Sequence, residues 1–150
     1  MLEARKASIW RNSYDITLDG RPLARWDGSS WKPGGTFELD GRRHHVRSNM
    51  WATTYVMTDD DGTTIATTDR VGRNTWTVQA DGVSYDFRRP SIWRHEEELL
   101  SDGRPVGSVK RNSIWRSDTV ADLPGLPVPV QVFVLAVVLT MWDQAAAAAS

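Results

Sequence analysis

Hydrophobic and polar residues alternate over short stretches along most of the chain. The alternation is clearest from Tyr14 to Leu18, from Trp51 to Met57 and from Val83 to Phe87. Successive side chains of a strand point to opposite faces, so this pattern predicts antiparallel strands with one buried and one wet face. We therefore expect a mainly β protein in which the apolar members of each stretch face one core.

Five Asp-Gly pairs separate these stretches at intervals of 21, 21, 20 and 21 residues. They begin at Asp19, Asp40, Asp61, Asp81 and Asp102. An Asp-Gly pair in a two-residue loop supplies the positive φ angles that a type I′ hairpin turn requires. Five hairpins account for about ten strands, and we expect one or two more near Ile114 and Thr119.

One segment near the end of the chain is apolar on all sides. The twenty residues from Leu123 to Trp142 carry no charge, and prolines in their first half allow a regular helix to begin only near Pro129. Its valines favour a strand, but a stretch of this length is more typical of a helix. A helix from Pro129 to about Gln144 is roughly 24 Å long, less than a hydrocarbon core of about 30 Å, so we expect no transmembrane span.

Together these elements predict a closed antiparallel barrel of about 12 strands around a central hydrophobic C-terminal α-helix. A sandwich core about 10 Å thick has no room for such a helix, whereas a barrel of about ten to twelve strands is wider than its own side chains can fill. We predict a single domain over residues 1–150, with strands from about 8 to 122 and the helix at about 129–144. An alanine-rich tail at 145–150 extends the helix or frays.

Two short motifs recur with the same offset of 83 residues. Ser8-Ile-Trp-Arg11 returns as Ser91-Ile-Trp-Arg94, and the Asp-Gly-Arg-Pro of Asp19–Pro22 returns at Asp102–Pro105. A third copy of the first motif occupies Ser113–Arg116. Duplication of half the chain would explain the shared offset, and convergence of similar strands on similar residues is the alternative.

Composition narrows the possible functions. The chain has 150 residues, a formal net charge of -1 and no cysteine, which excludes disulfides, thiolate nucleophiles and zinc–cysteine sites. A net charge so close to zero gives no general attraction to nucleic acid, so a nucleic-acid partner is disfavoured. The first residues lack the apolar core of a signal peptide, and we expect a cytoplasmic protein, peripheral to the membrane if its ligand is a lipid.

Three features of the chain are together similar to one known family. They are the segment Thr36–Arg42, the repeated Ser-Ile-Trp-Arg motif and the segment Pro127–Val138. Over nearly its full length the chain resembles the LURP-one-related family of the tubby-like superfamily, which also includes the phospholipid scramblases. The resemblance implies a twelve-stranded barrel around a hydrophobic C-terminal helix. It also implies relatives that bind phosphoinositides, tether factors to membranes or move lipids.

The chain departs from the scramblases in two respects. It lacks the cysteines through which they are lipidated, and no clear membrane anchor follows its predicted helix. We therefore do not expect lipid scrambling. The shared motifs are structural, so the resemblance implies no catalytic residue.

Residues suited to catalysis or metal binding are few. His44 and His45 are adjacent and should point to opposite faces of a strand, and His95 is remote in sequence. The segment Asp59–Gly62 lacks the alternating ligands and the distant glutamate of an EF-hand loop. No Gly-x-Ser-x-Gly nucleophile elbow is present. We expect no enzymatic activity, no metal and no cofactor.

Arginine is the residue type that most suggests a ligand. Of 18 basic residues only Lys6, Lys32 and Lys110 are lysines. A guanidinium group can hold a phosphate through two hydrogen bonds, so arginines near strand ends are ligand-binding candidates. The alternative is a codon bias towards arginine, with surface arginines paired to acidic residues. The candidates are Arg42, Arg43, Arg47, Arg88, Arg89 and Arg111.

The eight tryptophans fall into two groups. Trp10, Trp93 and Trp115 each precede an arginine, an arrangement that interfacial contacts often use. The other five we expect to fill the core, because a barrel closed on a helix needs bulky side chains. These are Trp26, Trp31, Trp51, Trp76 and Trp142.

Two functional hypotheses follow from these observations. The first is a non-enzymatic binding module that recognises anionic phospholipid headgroups, or another phosphorylated ligand, through surface arginines. The second is a protein-interaction scaffold in which the central helix is purely structural. The expected partner is accordingly an anionic phospholipid or membrane surface in the first case and a protein in the second.

Overall fold

The computed structural model describes residues 1–8, 12–29, 31–91, 95–111 and 118–149. This part of the chain contains twelve strands and one helix. The strands are β1 (Leu2–Lys6), β2 (Ser13–Leu18), β3 (Arg21–Gly28), β4 (Gly34–Leu39), β5 (Arg42–Ser48), β6 (Tyr55–Asp59), β7 (Thr64–Asp69), β8 (Thr75–Ala80), β9 (Val83–Arg88), β10 (Glu96–Ser101), β11 (Arg104–Arg111) and β12 (Thr119–Asp122), and the helix is α1 (Val128–Ala149).

The twelve strands form a closed antiparallel barrel, which confirms the predicted fold class. Each strand pairs with its neighbours in sequence, and β1 pairs with β12 to close the sheet, with Leu2 opposite Ala121. The first strand begins at Leu2, earlier than the predicted start near residue 8. Leu2 and Ala4 are buried and alternate with Glu3 and Arg5, so β1 follows the same alternating pattern as the other strands.

The helix α1 supplies the centre of the core. Every residue from Val132 to Leu139 is buried, because the barrel wall surrounds the helix on all sides. Pro129 lies in the first turn, where its missing N–H costs no hydrogen bond. The helix continues past its predicted end through Ala145–Ala149, which are exposed, since alanine favours the helical conformation without needing packing.

By length and hydropathy alone, Val128–Ala149 could cross a membrane. Here 56% of its most apolar window is buried inside the protein. Inward-facing side chains of the strands therefore surround the part of the helix that is apolar on every side.

The two ends of the barrel are built differently. The turn end carries the Asp-Gly turns, Met1 and the connection from β12 to α1. The loop end carries the connections that follow β3, β5 and β7, together with the last turns of α1. These two names are used below for the two ends.

Four of the five Asp-Gly pairs have the backbone angles predicted for them. Asp and Gly both have a positive φ, as a type I′ turn requires, in the pairs beginning at Asp19, Asp40, Asp81 and Asp102. The prediction is wrong for Asp61, which is not among the residues with positive φ. There the Asp59 carboxylate accepts hydrogen bonds from the backbone N–H groups of Asp61 and Thr63, both at 2.9 Å, and stabilises a longer connection.

The 83-residue offset relates two hairpins rather than two halves of the barrel. Adding 83 to each residue number aligns the β2–β3 hairpin with the β10–β11 hairpin. Both hairpins shift register at the equivalent place, between Ile16 and Thr17 and between Leu99 and Leu100. The paired hairpins are eight strands apart, whereas half of this barrel is six strands. The offset therefore corresponds to four hairpin units. Residues 9–11, 92–94 and 112–117, which contain most of the Ser-Ile-Trp-Arg motifs, lie outside the described residues.

The five tryptophans expected in the core divide into buried and exposed residues. Three are buried, as predicted: Trp26, Trp76 and Trp142. Trp31 and Trp51 are 95% and 78% exposed, so the prediction is wrong for these two. Both lie in connections at the loop end, and β6 begins only at Tyr55, so the alternation that starts at Trp51 is not that of a strand.

Candidate functional site

The six candidate arginines lie at both ends of the barrel and do not form one cluster. Arg42 and Arg43 are exposed at the start of β5, at the turn end. The other four lie towards the loop end, at or just beyond the ends of their strands: Arg47, Arg88, Arg89 and Arg111. Arg47 on β5 is separated from Arg88 on β9 by three strands. One phosphate group could therefore not contact all six.

Arg88 and Arg89 are paired with acidic residues of β10. Arg88 donates a hydrogen bond to Glu98 at 3.0 Å, and Arg89 Nε lies 3.5 Å from Glu97 Oε2. Glu97 is fully buried, and the indole N–H of Trp76 donates to its other oxygen at 3.0 Å. These two guanidinium groups thus hold β9 and β10 together and are only partly available to a ligand.

The charge of Glu97 makes the stability of the barrel depend on pH. Burial raises the pKa of Glu97, and this effect outweighs the opposing effects of Arg89 and the hydrogen bond from Trp76. The folded state therefore binds more protons than the unfolded state above the ordinary glutamate pKa, and the contribution of Glu97 to stability falls as the pH rises. Urea titrations of the wild type and of Glu97→Gln measure this contribution as the difference between their unfolding free energies. We expect the difference, wild type minus variant, to decrease from about pH 4.5 to pH 7. An increase over that range would mean that the pairing with Arg89 dominates.

A second polar group lies where α1 leaves the barrel. The Tyr14 hydroxyl lies 2.9 and 3.0 Å from the two carboxylate oxygens of Asp143 and donates to them. Burial raises the pKa of Asp143, although the bond from Tyr14 and the charges of Lys6 and Arg111 oppose the change. The Arg111 guanidinium lies 5.6 Å from the centre of the Trp142 ring, within cation–π range. These contacts attach the end of the helix to β2 and β11.

Three large apolar side chains are displayed at the loop end. Trp31, Met50 and Trp51 are 95%, 87% and 78% exposed, and they lie in the connections before β4 and after β5, on either side of the β4–β5 hairpin. The side-chain carbonyl of Asn49 accepts a hydrogen bond from the backbone N–H of Thr53 at 2.9 Å and so closes the turn that carries two of them. Large apolar side chains exposed in connections at one end of a barrel are a feature that contact surfaces often have.

Basic side chains without acidic partners lie beside these apolar residues. Lys32 follows Trp31, Arg47 is the last residue but one of β5, and Arg70 and Arg73 lie in the connection after β7. All four are exposed, and within the described ranges none forms an ion pair. We call the whole set the loop-end surface: Trp31, Lys32, Arg47, Met50, Trp51, Arg70 and Arg73.

The turn end has the opposite charge. Its exposed acidic residues are Asp19, Asp40, Asp60, Asp61, Asp81, Asp102 and Asp122. Fewer basic residues lie there, namely Arg21, Arg42, Arg43 and Arg104. Towards the loop end the exposed acidic residues of the described part are only Asp27 and Asp69, so charge is separated along the barrel axis although the net charge is -1. An anionic surface would attract the loop end and repel the turn end.

The histidines do not converge on one site. His44 stacks on Phe37, with ring centres 4.6 Å apart, whereas His45 Nε2 lies 2.8 Å from Asp60 Oδ1. The adjacent pair therefore points to opposite faces of β5, as predicted. His95 lies just before β10, which is not a neighbour of β5. Among the residues that the structure describes, no three His, Asp or Glu side chains are grouped so that they could hold a metal ion.

The described part of the chain is thus a closed twelve-stranded barrel with a buried apolar helix, and one end of the barrel displays aromatic and basic side chains. No family model, curated protein or solved structure matches the chain.

Proposed function

We propose that the protein is a non-enzymatic binding module that docks its loop end onto membranes containing anionic phospholipid. The observation that carries this proposal is the exposure of Trp31, Met50 and Trp51 beside basic residues that have no acidic partner in the described part of the chain. The central helix stays in the barrel, and the loops make the contact.

The apolar residues of the loop-end surface suit the boundary between water and hydrocarbon, and its basic residues suit the anionic headgroups of a membrane. Indole rings are stabilised at the boundary between water and hydrocarbon, and a methionine side chain gains free energy by leaving water. Each basic residue near an anionic leaflet contributes about 1 kcal/mol. Stable attachment generally requires both an apolar and an electrostatic contribution, and this surface offers both.

The resemblance to the LURP-one-related and tubby-like proteins supports the same class of activity, because relatives in that superfamily are linked to phosphoinositide binding and membrane tethering. Of the six arginines first considered, Arg47 belongs to the loop-end surface. Arg88 and Arg89 pair with glutamates of β10, Arg111 lies 5.6 Å from the centre of the Trp142 ring, and Arg42 and Arg43 lie at the acidic end.

Vesicle co-sedimentation tests the proposal. The wild type should bind vesicles containing phosphatidylglycerol, and binding should weaken as added salt screens the charges. Trp31→Ser/Trp51→Ser should lower the partition coefficient at least about tenfold, because withdrawing two indoles costs more than about 1.4 kcal/mol. Lys32→Gln/Arg47→Gln should lower it mainly at low salt.

The matched control for charge is Arg21→Gln/Arg104→Gln, which removes two exposed arginines from the turn end. This variant should bind as the wild type does. Loss of binding in Arg42→Ala/Arg43→Ala but not in Trp31→Ser/Trp51→Ser would place the contact at the turn end and contradict the proposal.

A protein-interaction scaffold is the second candidate, and one observation favours it. A hollow of about 620 Å³ lies where β9 and β10 diverge, because only three residue pairs join these strands. Leu100 and Val106 line it, and Val106 is 45% exposed. A partner bound there would be lost in Val106→Asp and retained in Trp31→Ser/Trp51→Ser.

A further inference from the structure

Large apolar side chains are exposed at both ends of the barrel. Val83 and Val106 are 48% and 45% exposed and lie near the turn end, at or close to the starts of β9 and β11. Met1 is 58% exposed at the same end. The other exposed large apolar residues in the described part of the chain are the three of the loop-end surface. Each end therefore carries apolar area that a contact could cover.

The hollow between β9 and β10 is a site at the turn end that could receive a side chain. Its volume is about 620 Å³, within the range of about 300–1,000 Å³ that is usual for binding pockets. Val83, Leu100 and Val106 line it, and Pro124 borders it from the connection between β12 and α1. The last pair that joins β9 and β10 before the hollow is Asp86 opposite Leu100. An apolar hollow of this size has room for an indole ring.

Carboxylates surround this hollow. Asp86 and Asp102 line it, both are exposed, and within the described ranges neither forms an ion pair. Asp81 lies in the turn before β9, and Asp122 ends β12. The loop end has the complementary arrangement, because exposed indoles lie there beside basic side chains without acidic partners in the described residues. The two ends of the barrel therefore match in charge and in apolar area.

We propose that the protein associates head to tail with itself. The loop-end surface of one copy docks onto the turn end of the next copy, with an indole of the first in the hollow of the second. A second copy is the partner that the structure favours, because this chain itself supplies both complementary surfaces. The surfaces lie at opposite ends of one barrel, so each contact leaves one of each kind free, and the assembly stays open and can grow.

This contact and the proposed membrane docking use the same loop-end surface, so one copy cannot make both at once. The self-association does not depend on membrane docking, since the hollow at the turn end takes part only in the contact between copies. Anionic vesicles should compete for the loop end and dissociate the assembly.

Sedimentation velocity of the full chain over a concentration series at low salt tests the proposal. The average sedimentation coefficient should rise with concentration beyond the value for a dimer, and it should fall when added salt screens the charges. Val106→Arg places a cation in the hollow and should weaken association at least about tenfold, because the docking surface is itself basic. Trp31→Ser/Trp51→Ser should weaken it to a similar extent. The control Gln79→Arg adds the same side chain at an exposed position of β8, outside this hollow, and should associate as the wild type does.

A mixture of the two blocked variants tests the direction of the contact. Val106→Arg keeps an intact loop end, and Trp31→Ser/Trp51→Ser keeps an intact turn end. Neither variant should associate with itself, but together they should form a heterodimer that grows no further.

Three results would overturn the proposal. The wild type could stay monomeric at every concentration, it could stop at a closed dimer, or the two variants could fail to combine. Sedimentation with phosphatidylglycerol vesicles separates these outcomes from failure of membrane docking. Val106→Arg should still sediment with the vesicles, whereas Trp31→Ser/Trp51→Ser should not.

Discussion

We expect Val134→Asp to abolish folding of the barrel. Val134 is fully buried on α1, in a run of eight residues that are all buried. A carboxylate there would be surrounded by apolar side chains and would have no partner. Burying it would remove most of the about 5–15 kcal/mol by which a typical domain is stable. The variant should lose the near-ultraviolet circular dichroism of its packed tryptophans and show no cooperative urea transition.

The matched control places the same side chain on the exposed part of the same helix. Ala148→Asp should change the free energy of unfolding by less than about 1 kcal/mol, since its carboxylate stays in water and only the helix dipole opposes it. A stable, cooperatively folded Val134→Asp protein would show that the helix does not occupy the centre of the barrel.

Glu97→Ala should lower the free energy of unfolding by about 3 to 5 kcal/mol. The substitution removes the acceptor of the Trp76 indole N–H and leaves the half-buried Arg89 without its carboxylate. Removing one member of a buried ion pair lowers stability more than replacing both members by apolar residues, because the remaining charge keeps its desolvation cost. Urea unfolding followed by circular dichroism measures the difference.

The neighbouring glutamate provides the comparison. Glu98 also pairs with an arginine of β9, at 3.0 Å, but both partners are partly exposed. Glu98→Ala should therefore cost about 1 kcal/mol or less. Equal losses in Glu97→Ala and Glu98→Ala would mean that the burial of Glu97 adds nothing to its effect on stability.

The architecture could be predicted from the sequence because two strong patterns agree. Regular Asp-Gly spacing with alternating strands indicates many hairpins, and an uncharged segment around Phe133 can only be accommodated inside them. The structure places Phe133 in the centre, fully buried. Where a local side chain overrides the pattern, as Asp59 does at the turn after β6, the same rule fails.

The candidate site was harder to predict, because burial and pairing depend on contacts distant in sequence. Trp31 lies among Ser, Lys, Pro and Gly residues, and Trp51 lies two residues after Asn49, so turn-forming neighbours are the signal in the sequence that both are exposed. No comparable signal shows that Arg88 faces Glu98 or Arg89 faces Glu97, since those contacts exist only once β9 and β10 are adjacent. The sequence alone therefore does not distinguish Arg88 and Arg89, which pair with glutamates in the barrel wall, from Arg47, which stays exposed.

Charge and exposed aromatic residues coincide at one end of the barrel, and this coincidence is the basis of the functional account. The acidic turn end would face away from an anionic membrane while Trp31 and Trp51 approach it.

Site-specific fluorescence tests the central claim most directly, because the chain has no cysteine and one introduced thiol is a unique labelling site. An environment-sensitive dye would be attached at Asn74→Cys, in the loop-end connection after β7, or at Arg104→Cys, at the turn end. With phosphatidylglycerol vesicles, the account predicts a blue shift and quenching by lipid-borne quenchers for the dye at position 74 and no change at position 104. A change at position 104 alone, or no change at either position while the protein sediments with the vesicles, would contradict docking through the loop end.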